Sequence, residues 1–196
     1  MDLDAAELRV LGCLVEKQRT TPDAYPLSLN ALRLACNQST NRDPVVDYDE
    51  ATIRAALAGL SRRGWARLAS GRGSRAVKYR HLLDDALGLD DAEISLSAVL
   101  MLRGAQTPGE LKQRSERLHA FGSVLEVIEA LERLAERELV LRLARRPGQK
   151  EERYAHRLGE EGEEPPATAP AEDGRLAALE RRLAEVEARL DALERA

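Results

Sequence analysis

The stretch Trp65-Ala-Arg-Leu-Ala-Ser-Gly-Arg-Gly-Ser-Arg-Ala-Val-Lys-Tyr-Arg-His81 decides the fold. Its two arms, Trp65–Ala69 and Ala76–Arg80, alternate apolar and polar side chains, which is the period of a half-buried strand. Between them Ser70-Gly-Arg-Gly-Ser-Arg75 supplies glycines for the positive φ of a hairpin turn. The same order recurs downstream, where Leu139–Ala144 and Glu151–His156 flank Arg145-Arg-Pro-Gly-Gln-Lys150. Arg67-Leu-Ala69 matches Arg142-Leu-Ala144, and Tyr79-x-His81 matches Tyr154-x-His156, both 75 residues apart. Two copies of one supersecondary unit explain the matches.

Upstream of each hairpin lie three helical patterns. The first copy opens with Leu3, Ala6, Val10 and Leu14 at helical spacing, and the second with Ile94, Ala98, Met101 and Leu102. A Thr-Pro pair follows each, at Thr21-Pro22 and Thr107-Pro108. A third helix carries Ile53, Ala56, Leu57 and Leu60 in one copy and Val124, Val127, Ile128, Leu131 and Leu134 in the other. Thr107-x-x-Glu110 and Ser123-x-x-Glu126 read as capping boxes, Asp47-x-x-Glu50 has the same spacing, and Leu27-Ser28 followed by Leu32 fits a hydrophobic staple. Three helices closed by a two-stranded ribbon make a winged helix. The expected fold is therefore mainly α with small β wings (α+β). Two tandem winged-helix domains, 1–83 and 84–158, precede a linker at 159–174 and a coiled-coil helix at 175–196.

Several of these segments carry a family likeness. Leu8-Arg-Val-Leu-Gly-Cys-Leu-Val-Glu-Lys-Gln18, Thr20-Thr-Pro22, Tyr25-Pro-Leu-Ser28, Ala35-Cys-Asn-Gln38, Thr40-Asn-Arg42 and Leu102-Arg-Gly-Ala-Gln-Thr-Pro-Gly-Glu-Leu111 resemble the bacterial YceH family over about residues 3–158. The resemblance implies two tandem winged-helix domains, in agreement with the repeat. It brings no catalytic or ligand residues with it.

Charge is distributed unevenly. The 196 residues carry a net −4, yet residues 1–81 are +4, residues 82–158 are −2 and residues 159–196 are −6. A chain without a global cationic field needs a local patch to hold DNA. Aromatics are only 3%, too few for a stacking platform on single strands. The patch is Arg62, Arg63, Arg67, Arg72, Arg75, Lys78 and Arg80, with no acidic residue among residues 62–80. Such a run suits phosphates, and the competing reading is a solvated face with Arg stems over the core. Asn37, Gln38, Asn41 and Arg42 precede the third helix. They suit phosphate and base-edge contacts or, alternatively, turn chemistry. Against DNA stand Asp47, Asp49 and Glu50 at the start of the first copy's third helix, where groove-reading residues usually sit. The second copy's third helix is more acidic still, with Glu126, Glu129, Glu132 and Glu136.

Catalysis, a cofactor and a metal site are not expected. His81, His119 and His156 are the only histidines, and no His-Glu-x-x-His, phosphate-loop lysine or Gly-x-Ser-x-Gly occurs. Cys13 and Cys36 read as buried free thiols of a cytoplasmic chain, and no membrane span or secretory signal is expected. The segment 159–174 is acidic, rich in Pro and Gly, and reads as disordered. Beyond it Leu176, Leu179, Leu183, Val186, Leu190 and Leu193 follow a strict heptad seam. The flanking Arg175, Arg182 and Arg189 meet Glu180, Glu187 and Glu194 of a partner helix only in the parallel sense. The expected partners are further copies of the chain, in a parallel coiled coil of two or three strands since no buried Asn fixes the number, and double-stranded DNA. The expected function is that of a DNA-binding or transcription-associated homo-oligomer. The alternative is a protein-interaction scaffold that uses the winged-helix shape without DNA.

Overall fold

The first helix, α1 (Ala5–Thr20), begins at Asp4, whose carboxylate accepts from the Glu7 N–H while Glu7 reaches back to the Asp4 N–H. This reciprocal cap satisfies two amides that a helix start leaves orphaned. In the computed structural model, which describes residues 3–69, 77–145 and 151–159, α1 is a central helix of the described body. Every residue from Arg9 to Glu16 is buried. The second repeat's first helix, α5 (Asp91–Arg103), has the same box on Asp90 and Glu93 and is buried from Glu93 to Leu102. Helices covered on all sides pack between other elements rather than on the surface, and α1 and α5 pack against each other.

Around α1 the first repeat places a 3-10 turn at Pro22–Ala24, strand β1 (Leu27–Ser28), α2 (Leu29–Cys36), α3 (Glu50–Arg62), β2 (Ala66–Leu68) and β3 (Lys78–His81). The second repeat follows α4 (Leu83–Leu87) and α5 with α6 (Pro108–Ser115), α7 (Val124–Glu136), β4 (Val140–Leu143) and β5 (Arg153–His156). The fold is thus mixed, with seven α-helices among the described residues and two small antiparallel sheets. The first sheet has the order β1-β3-β2, and the second pairs β4 with β5. The repeat extends to the ladders: Tyr79 pairs with Leu27 of β1, and its counterpart Tyr154 bridges Gln106, so the second sheet keeps a one-residue remnant of the third strand.

Helix starts follow the local chemistry with two adjustments. Ser28 caps α2 by accepting from Ala31 N–H, and Leu27 and Leu32 are both buried beside it. Thr107 and Glu110 make the full capping box. At α7 only Ser123 caps in the expected way, because Glu126 accepts from Gly122 N–H instead. At α3 the cap is Asp49, accepting from Thr52 N–H, and not Asp47. Asp47 instead accepts from the Asn37 side chain.

The described residues form one compact unit, so the halves 1–83 and 84–158 share a core. Gly12 lets α1 approach α5 closely: a Cβ there would sit 2.9 Å from Leu102 Cγ. Arg19 pairs with Asp91 at 2.5 Å, Asp43 N–H donates to Leu102 O, and Leu3 N–H donates to Leu158 O. Cys13 and Cys36 are free, buried thiols. Among the described residues no helix is long and apolar enough to cross a membrane. The linker from residue 160 onward and the heptad seam lie outside the described residues.

Candidate nucleic-acid interface

Arg62 occupies the last turn of α3 and Arg63 its C-cap, where a cation complements the helix dipole. Gly64, at φ 76, turns the chain into β2. The register then sets the faces. Ala66 lies opposite His81, Arg67 opposite Arg80 and Leu68 opposite Tyr79. Because side chains alternate along a strand, Arg67, Lys78 and Arg80 share one face, with Ala66 and His81 buried on the other. Arg67 is exposed, as are Arg62 and Arg63, and Lys78 and Arg80 are partly exposed. Arg72 and Arg75 lie outside the described residues.

The second repeat differs at the matching place. Val140 lies opposite His156, so Leu141 and Ala155 occupy the places of Arg67 and Arg80, and Arg142 falls on the other face, opposite Tyr154. There Arg142 forms an ion pair with Glu152, and Arg145 lies 3.8 Å from the same carboxylate. On α7, Arg133 is drawn back onto Asp90 and Glu93, and Arg137 onto Glu93 and the Leu87 and Gly88 carbonyls. Glu126, Glu129, Glu132 and Glu136 remain exposed there. The first repeat therefore places two arginines opposite each other on its sheet face, and the second has Leu141 and Ala155 there.

The loop before α3 does other work. Its sequence suggests a surface Arg42, but the residue is buried. Its Nη1 and Nη2 donate to the two carboxylate oxygens of Glu16 at 3.0 and 2.6 Å, and its Nε donates to Ala35 O at 3.0 Å. Burial alone would raise the Glu16 carboxyl, but the Arg42 hydrogen bonds and charge outweigh it and hold Glu16 below the usual carboxylate range. Arg9, also buried, donates to Cys36 O and Pro44 O. The two arginines together satisfy carbonyls that the end of α2 leaves without helical partners. Asn37 donates to Tyr48 O and accepts from Tyr48 N–H. Gln38 accepts from Arg42 and Lys17. Asn41 adopts φ 59 and accepts from Arg103. All four residues are thus tied within the protein, and Arg42 is withdrawn from any outside ligand.

His81, of the first Tyr-x-His motif, is tied into the fold. His81 Nδ1 accepts from Leu83 N–H and Nε2 lies 2.5 Å from Gln18 Oε1, which places the ring proton on Nε2. The His81 N–H donates to the Tyr25 hydroxyl at 2.8 Å. Burial pushes His81 down to about 4 and Tyr25 up to about 12.

Sequence patterns do not reveal a polar cleft of about 620 Å³ beside the 37–42 loop. Lys17, Arg103, Arg114 and Arg117 line it. One signal is present in the chain: Lys17 and Arg103 each stand four residues before the Thr-Pro pair of their repeat.

The chain matches a family described as "Protein of unknown function, DUF480" over residues 3–149. It is 45% identical over 204 residues to a UPF0502 protein of Serratia proteamaculans, covering 98% of this chain and 95% of the relative. It is also 45% identical over 206 residues to the UPF0502 protein YceH of Escherichia fergusonii, covering 98% and 96%. The chain belongs to the YceH family. That family is one of unknown function, so the chemistry of the surface here rests on the side chains just described.

Proposed function

We propose that both repeats are winged-helix units and that the first contacts duplex DNA through Arg62, Arg63 and the Arg67–Lys78–Arg80 sheet face. The observation that carries this reading is the register of β2 and β3, which sets Arg67 directly opposite Arg80. Like charges facing each other across strands destabilise a sheet. A phosphate placed between them offsets that repulsion, and the second repeat, whose matching pair is Leu141 opposite Ala155, has no such need. The acidic start of α3 opposes DNA less than its sequence suggests. Asp49 is engaged as a cap, Asp47 with Asn37, and Glu50 lies 3.4 Å from Arg54. The heptad seam at 176–193 supports assembly as a parallel pair, which would present two such faces.

A second reading, protein contact without DNA, draws on exposed Val124 and Leu125 at the start of the acidic α7. Duplex binding at graded salt separates the two. Arg67→Ala and Arg80→Ala are expected to weaken binding to all sequences alike and to lower the log–log salt slope by about 0.9 for each phosphate no longer neutralised. Wild-type protein with no salt-sensitive duplex binding at low ionic strength would leave protein contact as the better reading.

A further inference from the structure

We propose that the cleft between the two repeats binds a small hydrophilic polyanion carrying two or more phosphate or carboxylate groups. Its volume of about 620 Å³ falls in the range of small-molecule sites, and a cleft of this size does not admit a duplex. Four cations converge on it from three helices: Lys17 from α1, Arg103 from α5, and Arg114 and Arg117 from α6 and the residues just after it. The apolar lining is limited to Val99, Leu102 and Leu118, with no aromatic ring, so the cleft suits a hydrophilic guest.

The carboxylates nearby are already engaged. Glu16, the acidic lining residue, gives both oxygens to buried Arg42, and Lys17 shares one of them at 3.4 Å. Glu110 lies 3.3 Å from Arg114 but also accepts from Thr107 N–H and lies 3.6 Å from Arg153. Arg103 donates to the neutral Asn41. Its guanidinium pKa is lowered first by burial and then by the charges of Arg114 and Arg42, with Glu16 and Asp43 opposing more weakly. Crowded cations held at the rim of a polar cleft are stabilised when an anion enters. Arg forks suit phosphate and carboxylate oxygens two at a time.

The test is calorimetric titration of the full chain at low salt with pyrophosphate and with citrate as probes. Saturable binding is expected for at least one, weakening as salt rises. Tighter pyrophosphate assigns phosphate groups, and tighter citrate assigns carboxylates. Arg103→Gln and Arg117→Gln are each expected to lower affinity about tenfold, the loss of one charge-assisted hydrogen bond. Arg157→Gln, an exposed cation outside the cleft, is expected to leave it unchanged. Arg117 is exposed, so its variant reports on binding even where Arg103→Gln disturbs the fold. Absence of saturable heat at millimolar probe would overturn the proposal. So would an equal loss in Arg157→Gln.

Discussion

His81 holds its ring neutral because burial disfavours the charged form, and this ties stability to pH. Its pKa lies at about 4 in the folded chain against 6.5 for an unperturbed ring. On acidification the unfolded chain takes up the proton first, so stability present above pH 6.5 is lost as pH falls toward 4 and then levels off. The difference amounts to about 3 kcal/mol. His156, also pushed down by burial, acts in the same direction. Urea denaturation at about pH 7.5 and about pH 4.5 is expected to show this loss, and His81→Asn to remove most of the slope. Arg42 makes a second residue-scale prediction. Arg42→Met leaves the Glu16 carboxylate buried without its partner, and removal of one member of such a pair costs about 3–5 kcal/mol. Glu16→Met combined with Arg42→Met is expected to cost less than the two single changes together, measured by the same urea titrations.

At the scale of elements, the α1–α5 crossing is the contact on which both repeats depend. Gly12→Ala gains helix propensity of about 1 kcal/mol. Its new methyl, however, meets Leu102 Cγ at 2.9 Å and Met101 Cβ at 3.3 Å. Overpacking of this kind costs about 1–3 kcal/mol, so Gly12→Ala is expected to lower the melting temperature. The loss should shrink in a Leu102→Ala background, where the contacts with Leu102 Cγ and Cδ2 are gone; an equal loss in both backgrounds would show that the methyl's contact with Leu102 is not what matters. The hairpin elements were legible from alternation alone, since the Tyr79 and Tyr154 ladders needed only period two and a glycine turn. The one-residue remnant strand at Gln106 was not legible, because a single bridge leaves no periodicity to read.

At the scale of the whole molecule, the heptad seam predicts association. Each large side chain buried along it contributes roughly 1.5–3 kcal/mol. Deleting residues 172–196 is expected to reduce the light-scattering mass from that of a parallel pair to that of a monomer. The body should stay folded, since its core lies between Leu3 and Leu158. A full-length chain that is monomeric at tens of micromolar, or an unchanged mass after deletion, would contradict the seam reading.

Sequence alone was enough for the repeat, the helix starts at Ser28, Thr107 and Ser123, and the hairpin pairing, because each depends on residues a few positions apart. It also placed the basic run at 62–80, although only the register shows that Arg67, Lys78 and Arg80 share a face while Leu141 and Ala155 hold the matching pair of the second repeat. The fate of Arg42 was decided by tertiary structure. An arginine in a polar loop looks solvated until α1 brings Glu16 against it from 26 residues away. The cationic cleft has the same origin: Lys17, Arg103 and Arg117 are ordinary helix-end charges in the chain, and only the packing of α1, α5 and α6 brings them to one wall. Local hydrogen bonding and periodicity are written in neighbouring residues, whereas charge convergence depends on which helices the shared core draws together.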